Sequence, residues 1–424
     1  MNMQIPNRQT VAEIALIDAY TAKIGELPGD GAVMAARDRL LDDLKTAGLP
    51  TRRIEAWHYT DMKALLRAVP SDDPSATVAE AAPVVSDAVV FSVLQGRASS
   101  GAESEQFSVR RYADSLSDGS AAAGLTEIDI DDTIGRINGS FVADGLVLDI
   151  PAGTELTAPI ELQVNHAGGQ IHTRFPVTFG AGAKATVVER HRAVTGDAAL
   201  VSSVSDLVLE DGAEITWIIL QEQGANDTHL AQIKIDLRSN AKLRLFVVNA
   251  GGKLVRQEIH ITVSGEGADL VLRGVNLLGG DTHTDVTMKL DHNVPNTTST
   301  EVIRNVVFDR AKGVFQGQIR VAPDAQKTDA KMACNTLLMS DDADYSVKPE
   351  LEIFADDVMC GHGATVIDID HTHLYYLMAR GIPETPARAL LINAFVAEVV
   401  EELEDEALVE ALEGVVSTWL DKRA

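Results

Sequence analysis

The motif Cys360-Gly361-His362-Gly363-Ala364-Thr365-Val366 holds the residues of this chain best suited to chemistry. Cys360 and His362 are two positions apart and follow the strand-like run Leu-Glu-Ile-Phe at 351–354. Because side chains along an extended strand alternate between its faces, these two side chains are expected to point the same way. Thiolate and imidazole are ligands that suit iron and iron–sulfur chemistry. Two ligands make at most half of a metal site, so the other half must come from elsewhere.

The composition bounds the class of protein. The chain has 424 residues, 45% of them hydrophobic and 4% aromatic, which is enough for two or three domains with mainly aliphatic cores. The 36 basic residues against 63 acidic ones give a net charge of −27, which disfavours binding to nucleic acid or to anionic membranes. The two cysteines exclude a disulfide scaffold, and neither a signal peptide nor a membrane-spanning apolar run is apparent. We therefore predict a soluble, cytoplasmic protein.

Residues 1–85 are predicted to form an N-terminal helical domain with a linker. Thr10 and Glu13 have the spacing of a capping box, and a second helix is predicted from about residue 32 to 46, before Gly48. A third helical pattern covers 62–69, and residues 70–86 have the Pro, Ser, Asp and Ala content of a linker.

Residues 86–366 are predicted to form a β-helix core. Alternating strand patterns replace the helical ones, and a turn with Gly or Asn before Ala recurs ahead of successive strands. The turns are Gly182-Ala183-Lys184, Gly212-Ala213-Glu214, Asn240-Ala241-Lys242 and Gly267-Ala268-Asp269, whose alanines are 30, 28 and 27 residues apart. A turn that recurs once per repeat favours a parallel β-solenoid over the alternative, an antiparallel sandwich of hairpins.

Residues 367–424 are predicted to form a C-terminal helical domain. Helices are expected at 374–379, at 387–403 after a Thr385 cap, and at about 406–420. An acidic run lies where the second of these helices meets the third; it consists of Glu398, Glu401, Glu402, Glu404, Asp405 and Glu406. We interpret the acidic run as a solvated helix face, with a docking surface for a basic partner as the alternative.

Several stretches occur in the order expected for one protein family. They are Trp57-His58-Tyr59-Thr60, Gln326-Lys327-Thr328-Asp329-Ala330, Lys348-Pro349-Glu350-Leu351-Glu352-Ile353, the Cys360–Val366 motif, Leu374-Tyr375-Tyr376-Leu377, Ala379-Arg380-Gly381-Ile382 and Ala387-Arg388-Ala389-Leu390-Leu391. Together they resemble the SufD family, scaffold subunits of the SUF iron–sulfur cluster assembly system within the wider SufB/SufD family. The dense part of the resemblance covers about residues 326 to 400.

The resemblance implies a mainly β fold, a right-handed parallel β-helix between N-terminal and C-terminal helical domains. It implies a non-catalytic scaffold that pairs with a SufB-like homologous subunit and binds a SufC-like ABC ATPase through its C-terminal helices. A transient iron–sulfur cluster would assemble at the interface of the two β-helices. The ATPase activity would belong to the partner, which agrees with Gly251-Gly252-Lys253 being followed by Leu254 instead of the Ser or Thr of a phosphate loop. FAD in the complex and a homodimer of the isolated chain are left open, and no tightly bound cofactor is expected in the isolated chain.

The resemblance also assigns roles to single residues. His362 would ligate iron or the nascent cluster at the interface, with Cys360 as a supporting ligand. Cys334 precedes His362 by 28 residues, about one repeat, so stacked coils would place these two residues side by side. The stretch after Cys334 also resembles that around the assembly cysteine of SufB. The alternative for the cysteines is a buried structural thiol, and for His362 a hydrogen-bonded strand residue.

The pair His371 and His373 is predicted to lie on a helix surface instead of binding metal. Residues i and i+2 of a helix diverge by about 200°, so the two imidazoles would not share a ligand. Two other functions remain as alternatives to the scaffold. One is a β-solenoid enzyme acting on polysaccharide, disfavoured because only 3 Trp and 6 Tyr are available as sugar platforms. The other is a purely structural β-solenoid interaction protein without a metal role.

Overall fold

The chain folds into a long parallel β-helix with helices at both ends. A computed structural model describes residues 9–71, 76–99, 101–103 and 105–423. Each regular coil gives one strand to each of two ten-stranded sheets, and successive strands within a sheet are parallel. The predicted parallel β-helix core with flanking helices is confirmed, and the antiparallel sandwich is wrong.

The helices of the described part are α1 (Val11–Lys23), α2 (Gly31–Ala47), α3 (Met62–Leu65), α4 (Tyr112–Ser117), α5 (Thr133–Phe141), α6 (His371–Ala379), α7 (Glu384–Val400) and α8 (Glu406–Asp421). The strands are β1 (Val89–Leu94), β2 (Arg97–Ala98), β3 (Ala102–Glu103), β4 (Ser108–Arg111), β5 (Asp144–Ile150), β6 (Ile160–His166), β7 (Gly169–Phe179), β8 (Lys184–Ala193), β9 (Ala199–Leu209), β10 (Glu214–Glu222), β11 (Thr228–Leu237), β12 (Lys242–Asn249), β13 (Leu254–Val263), β14 (Asp269–Leu278), β15 (His283–His292), β16 (Thr298–Val307), β17 (Lys312–Val321), β18 (Asp329–Leu338), β19 (Asp344–Ile353) and β20 (Met359–Ile367). The first sheet has the order β2-β1-β6-β8-β10-β12-β14-β16-β18-β20, and the second has β19-β17-β15-β13-β11-β9-β7-β5-β4-β3.

The recurring turn sets the start of six successive first-sheet strands, β8, β10, β12, β14, β16 and β18. Gly182, Gly212, Asn240 and Gly267 have φ of 68°, 70°, 55° and 77°, and the alanine after each is at most 1% exposed. Asn296 and Lys327 continue the series with φ of 58° and 64°. The sequence pattern missed these two turns because Thr297 and Thr328 replace the buried alanine. Residues with positive φ therefore precede six successive first-sheet strands, and five of the six are Gly or Asn, which adopt this conformation at lower cost than other residues.

The N-terminal helices dock on the second sheet through a buried arginine. Arg256 is fully buried, and its guanidinium lies 4.3 Å from the centre of the Trp57 ring. It donates to the Ala56 carbonyl at 2.9 Å and forms an ion pair with Asp285 at 2.6 Å. The Thr60 hydroxyl donates to the same Asp285 carboxylate. The Trp57–Thr60 stretch, which is part of the family resemblance, thus contacts the β-helix directly and joins the helical domain to it.

The C-terminal helices pack on the outer face of the first sheet, where Ile392 and Val396 of α7 join Phe246 and Val275 in one apolar cluster. Part of the acidic run is paired within the chain. Three neighbouring strands each supply an arginine to one acidic residue; the pairs are Arg244–Glu404, Arg273–Glu402 and Arg304–Glu398. The three glutamates are still 42–83% exposed, which agrees with the predicted solvated helix face, and the sequence pattern did not show which basic residues lie opposite them.

Several element boundaries differ from the predictions. The α1 capping box and α2 are confirmed, with Gly48 as the C-cap at φ 69°. The predicted helix at 62–69 shortens to α3, and α6 begins at His371 because Asp370 caps it. α4 and α5 interrupt the interval that was predicted to be strands alone. Residues 1–8, where no signal peptide was predicted, and residues 72–75 of the predicted linker lie outside the described residues.

Among the described residues, no helix combines the length and the apolar character needed to cross a bilayer.

Candidate functional site at the open end of the β-helix

The two ends of the β-helix are built differently. At the first end, the antiparallel pairs β1–β2, β3–β4 and β4–β5 close the stack. At the other end, β20 is the last strand of the first sheet and β19 the last of the second, so each has one edge without a strand partner in the described part of the chain. Apolar side chains are exposed beside these edges, among them Phe354 at 56% and Met359 at 66%. Unpaired strand edges with exposed apolar side chains are a template for another chain.

Cys360 and His362 lie on this last coil and share a face, as predicted. In the parallel register, Cys360 pairs with Ala330, and His362 pairs with Met332. Ala330 and Met332 are both buried in the β-helix core, so the two motif side chains lie on the inward-facing side of the final coil. Because no strand follows in the first sheet, His362 is exposed there. In the described part of the chain it has no hydrogen bond or ion pair, which leaves the imidazole free to bind a ligand.

The glycines of the motif keep the opposite face of β20 bare. A Cβ added at Gly361 or Gly363 would meet no atom within 4 Å. A second backbone can therefore approach the outer face of this strand closely, on the side away from the His362 side chain.

The Cys360 thiol is less available than His362. It is half-buried and packs against the main core. Burial raises the pKa of Cys360, and the carboxylates of Asp329 and Glu301 act in the same direction. Because a metal ligand must be the thiolate, this cysteine is a weaker ligand than His362 at neutral pH.

The predicted adjacency of Cys334 and His362 is wrong. Cys334 pairs with Ala364, two residues beyond His362, because this coil spans 30 residues from Met332 to His362. The Cys334 thiol is 1% exposed and accepts a hydrogen bond from the Asn305 amide at 3.3 Å. Burial raises the pKa of Cys334 to about 11. The alternative of a buried structural thiol fits these observations, whereas a ligand role would require exposure of this side chain.

Sequence reasoning missed Glu301, a buried carboxyl behind His362. One inward column of the first sheet runs through Trp217, Leu245 and Leu272, which are all buried. It continues through Glu301 and Met332 to His362. Glu301 is 0% exposed, and burial raises its pKa to about 8, although the Ser299 hydroxyl and the Arg273 charge act in the opposite direction. The signal was available, since counting two residues at a time from the buried Thr297 places Ser299 and then Glu301 inward.

Replacing Glu301 by methionine should remove a pH dependence of stability. The carboxyl titrates near 4.5 when unfolded and at about 8 when folded, so the folded state holds the extra proton between these values. Stability should therefore fall as pH rises from 4.5 to 8, by about 1.4 kcal/mol per unit of pKa difference at most. Glu301→Met should be a few kcal/mol more stable than the wild type at pH 9, measured as the free energy of unfolding in urea. Glu410→Gln, at an exposed position of α8, is the control; equal pH profiles for wild type and Glu301→Met would contradict the prediction.

His371 and His373 lie on the exposed start of α6, as predicted. Each is paired with the acidic residue three positions earlier, at 3.4 Å for His371–Asp368 and 3.5 Å for His373–Asp370, and each is at least 70% exposed. Over the whole described part of the chain, three or more His, Cys, Asp or Glu side chains are nowhere grouped so that they could hold a metal ion. One chain thus offers an exposed imidazole and a half-buried thiol at an edge open to a partner.

The comparisons with known proteins decide the family. The family model described as "SUF system FeS cluster assembly, SufBD core domain" matches residues 162–395, more than half of the chain. This chain belongs to the SufBD family of the SUF iron–sulfur cluster assembly system. It is 28% identical to the iron–sulfur cluster assembly protein SufD of Escherichia coli K12 over 87% of this chain and 88% of that protein. It is also 30% identical to a SufBD family protein of Synechocystis sp. over 65% of this chain and 63% of that protein.

The SufBD family match includes the motif at the open end. Residues 162–395 run from β6 into α7 and so contain the last coils, Cys360, His362, α6 and most of α7, but not α8. The predicted resemblance to SufD is confirmed, and the chain is a component of cluster assembly.

Proposed function

We propose that this protein is a non-catalytic scaffold subunit that pairs through its open β-helix end with a homologous, SufB-like subunit. The observation that carries the proposal is the position of His362 on the last strand of the first sheet, exposed and without a partner among the residues that the structure describes. A second β-helix docked on the edges of β19 and β20 would bring its own side chains beside this imidazole. The nascent iron–sulfur cluster, which is the cargo of the assembly, would then bind ligands from both chains.

The C-terminal helices are the proposed contact for a SufC-like ATPase. α6 and α7 leave large side chains in solvent; these are Tyr375 at 74%, Tyr376 at 56%, Met378 at 42% and Leu390 at 50%. Such an apolar surface next to the open end suits a docked protein. A conformational change that accompanies ATP hydrolysis in that partner would then reach the last coils, because Leu374 of α6 packs against Met339, which directly follows β18. FAD in the complex stays a prediction.

Co-expression tests the proposed pairing. The chain with an affinity tag should retain both the SufB-like subunit and the SufC-like ATPase through size-exclusion chromatography. Met359→Asp should abolish retention of the SufB-like subunit, because a buried unpaired charge at the joined edges is costly. Ile130→Asp is the control, since Ile130 is 83% exposed and lies far along the chain from the open end. A chain that elutes alone, or a Met359→Asp complex as stable as that of Ile130→Asp, would refute the proposal.

A further inference from the structure

A polar groove lies between α8 and the turns that follow β10, β12 and β14. It consists of two cavities, of 540 and 480 Å³, which share the lining residues Gln223, Ala250, Trp419 and Lys422. Because these residues line both, the two cavities lie side by side along α8, and together they are called the groove. Its size matches the pockets that proteins use for small organic ligands.

The groove is basic, although the whole chain carries a net charge of −27. Five basic residues line it against two acidic ones; they are Arg190, Arg192, Lys253, Lys422 and Arg423, with Glu222 and Asp281. Both carboxylates are already paired, Glu222 with Arg190 at 2.7 Å and Asp281 with Arg310 at 2.8 Å. Lys253 and Lys422 have no carboxylate partner within the described part of the chain, so two cations face the groove uncompensated.

A buried donor points to a ligand independently of the charge. Gln223 lines both cavities and is 4% exposed. Its Oε1 is hydrogen-bonded to Nε2 of the buried His166 at 2.5 Å. Its Nε2 has no hydrogen-bond partner in the described structure. A buried amide donor without a partner is costly. This nitrogen has less than 1 Å² of accessible surface, so it would reach an anion in the groove only after its side chain rotates, and the missing hydrogen bond favours that rotation.

Glycines and α8 hold the walls of the groove close together. A Cβ on Gly251 would lie 2.2 Å from the Gln223 carbonyl, and one on Gly279 would collide with the Arg423 guanidinium at 2.3 Å. The same guanidinium stacks on the Trp419 ring, 3.6 Å from its centre. The cationic end of the chain after α8 therefore lies close against the turns of the β-helix.

We propose that this groove binds a phosphate-bearing small molecule of about nucleotide size, with its phosphates between Lys253, Lys422 and the Gln223 amide. Two ammonium groups and an amide N–H are donors that suit a phosphate, and a groove of this volume leaves room for the organic part. The site is separate from His362 and does not depend on pairing with another subunit.

Isothermal titration calorimetry of the full-length chain with pyrophosphate, ADP and adenosine tests the proposal. Pyrophosphate or ADP should bind, more weakly as ionic strength rises, and adenosine should not. The double variant Lys253→Ala/Lys422→Ala should lose at least about tenfold in affinity, equivalent to 1.4 kcal/mol. The double variant Lys184→Ala/Lys312→Ala, which removes two exposed lysines outside the groove, should bind like the wild type.

Three results would overturn the proposal. They are dissociation constants weaker than about 1 mM for both phosphate compounds, equal binding of ADP and adenosine, and unchanged affinity in Lys253→Ala/Lys422→Ala. Because both lysines are exposed, their replacement should leave the fold intact, which circular dichroism melting would check. Gln223→Leu is a second variant and should lower the affinity several-fold.

Discussion

Replacing His362 by alanine should leave the complex with the SufB-like subunit and the ATPase intact while iron–sulfur cluster accumulation falls by about tenfold or more. The side chain is exposed at an open edge and has no partner within the described structure, so its loss costs the fold little. Alanine has no donor atom, so iron would lose its ligand from this subunit. The measurement is the iron and acid-labile sulfide content, with the Mössbauer spectrum, of the complex purified without oxygen.

The control for His362→Ala is His373→Ala. His373 is 70% exposed on α6, near the same end of the molecule, and its Nδ1 lies 3.5 Å from Asp370. This variant should accumulate cluster like the wild type. A full cluster yield in His362→Ala would favour the alternative of a purely structural interaction protein, whereas loss of the complex itself would show that His362 serves pairing instead of ligation.

Replacing Arg256 by alanine should lower the free energy of unfolding by about 3–5 kcal/mol, because it leaves the Asp285 carboxylate buried without its cation. Asp285 and Arg256 are both 0% exposed. Burial alone would raise the pKa of the neighbouring Glu258, yet the Arg256 charge outweighs it and the pKa falls to about 2. The variant would also lose the contact with Trp57 and the bond to the Ala56 carbonyl, so the N-terminal helices should loosen.

Urea unfolding followed by circular dichroism measures the effect of Arg256→Ala. Arg310→Ala is the matched control, since Arg310 pairs with Asp281 at 2.8 Å but both side chains are at least 66% exposed. An exposed pair of this kind contributes about 1 kcal/mol or less. Equal losses of stability in the two variants would show that Arg256 does not hold the domains together.

A short, local sequence pattern was sufficient to predict the repeating coils of the β-helix. A residue that reaches positive φ, a small buried residue and an alternating strand form a local signal that repeats with each coil. The capping box of α1 and the glycine that ends α2 are local signals of the same kind. The Gly/Asn-Ala sequence pattern was not recognisable at Thr297 and Thr328, because threonine takes the place of the buried alanine there. The turn itself has the same geometry at both places.

Register was not predictable in the same way. Extra residues in the turns lengthen the final coils, so a fixed repeat of about 28 placed Cys334 beside His362 when its neighbour is Ala364. A shift of two residues leaves Cys334 facing inward but makes Met332, and not Cys334, the residue that pairs with His362. The pairing of Arg256 with Asp285 and that of the acidic run with Arg244, Arg273 and Arg304 likewise join residues far apart in sequence.

The sequence by itself determined the type of fold, the family resemblance and the shared face of Cys360 and His362, because alternation along a strand needs no knowledge of distant residues. Only the tertiary structure decided that these two residues end an uncapped stack, that Cys334 is sealed inside it and that Glu301 lies buried behind them. Those facts depend on how many residues each turn contains and on which strand has no successor. Both are properties of the stacked coils as a whole, and no single stretch of the chain contains them.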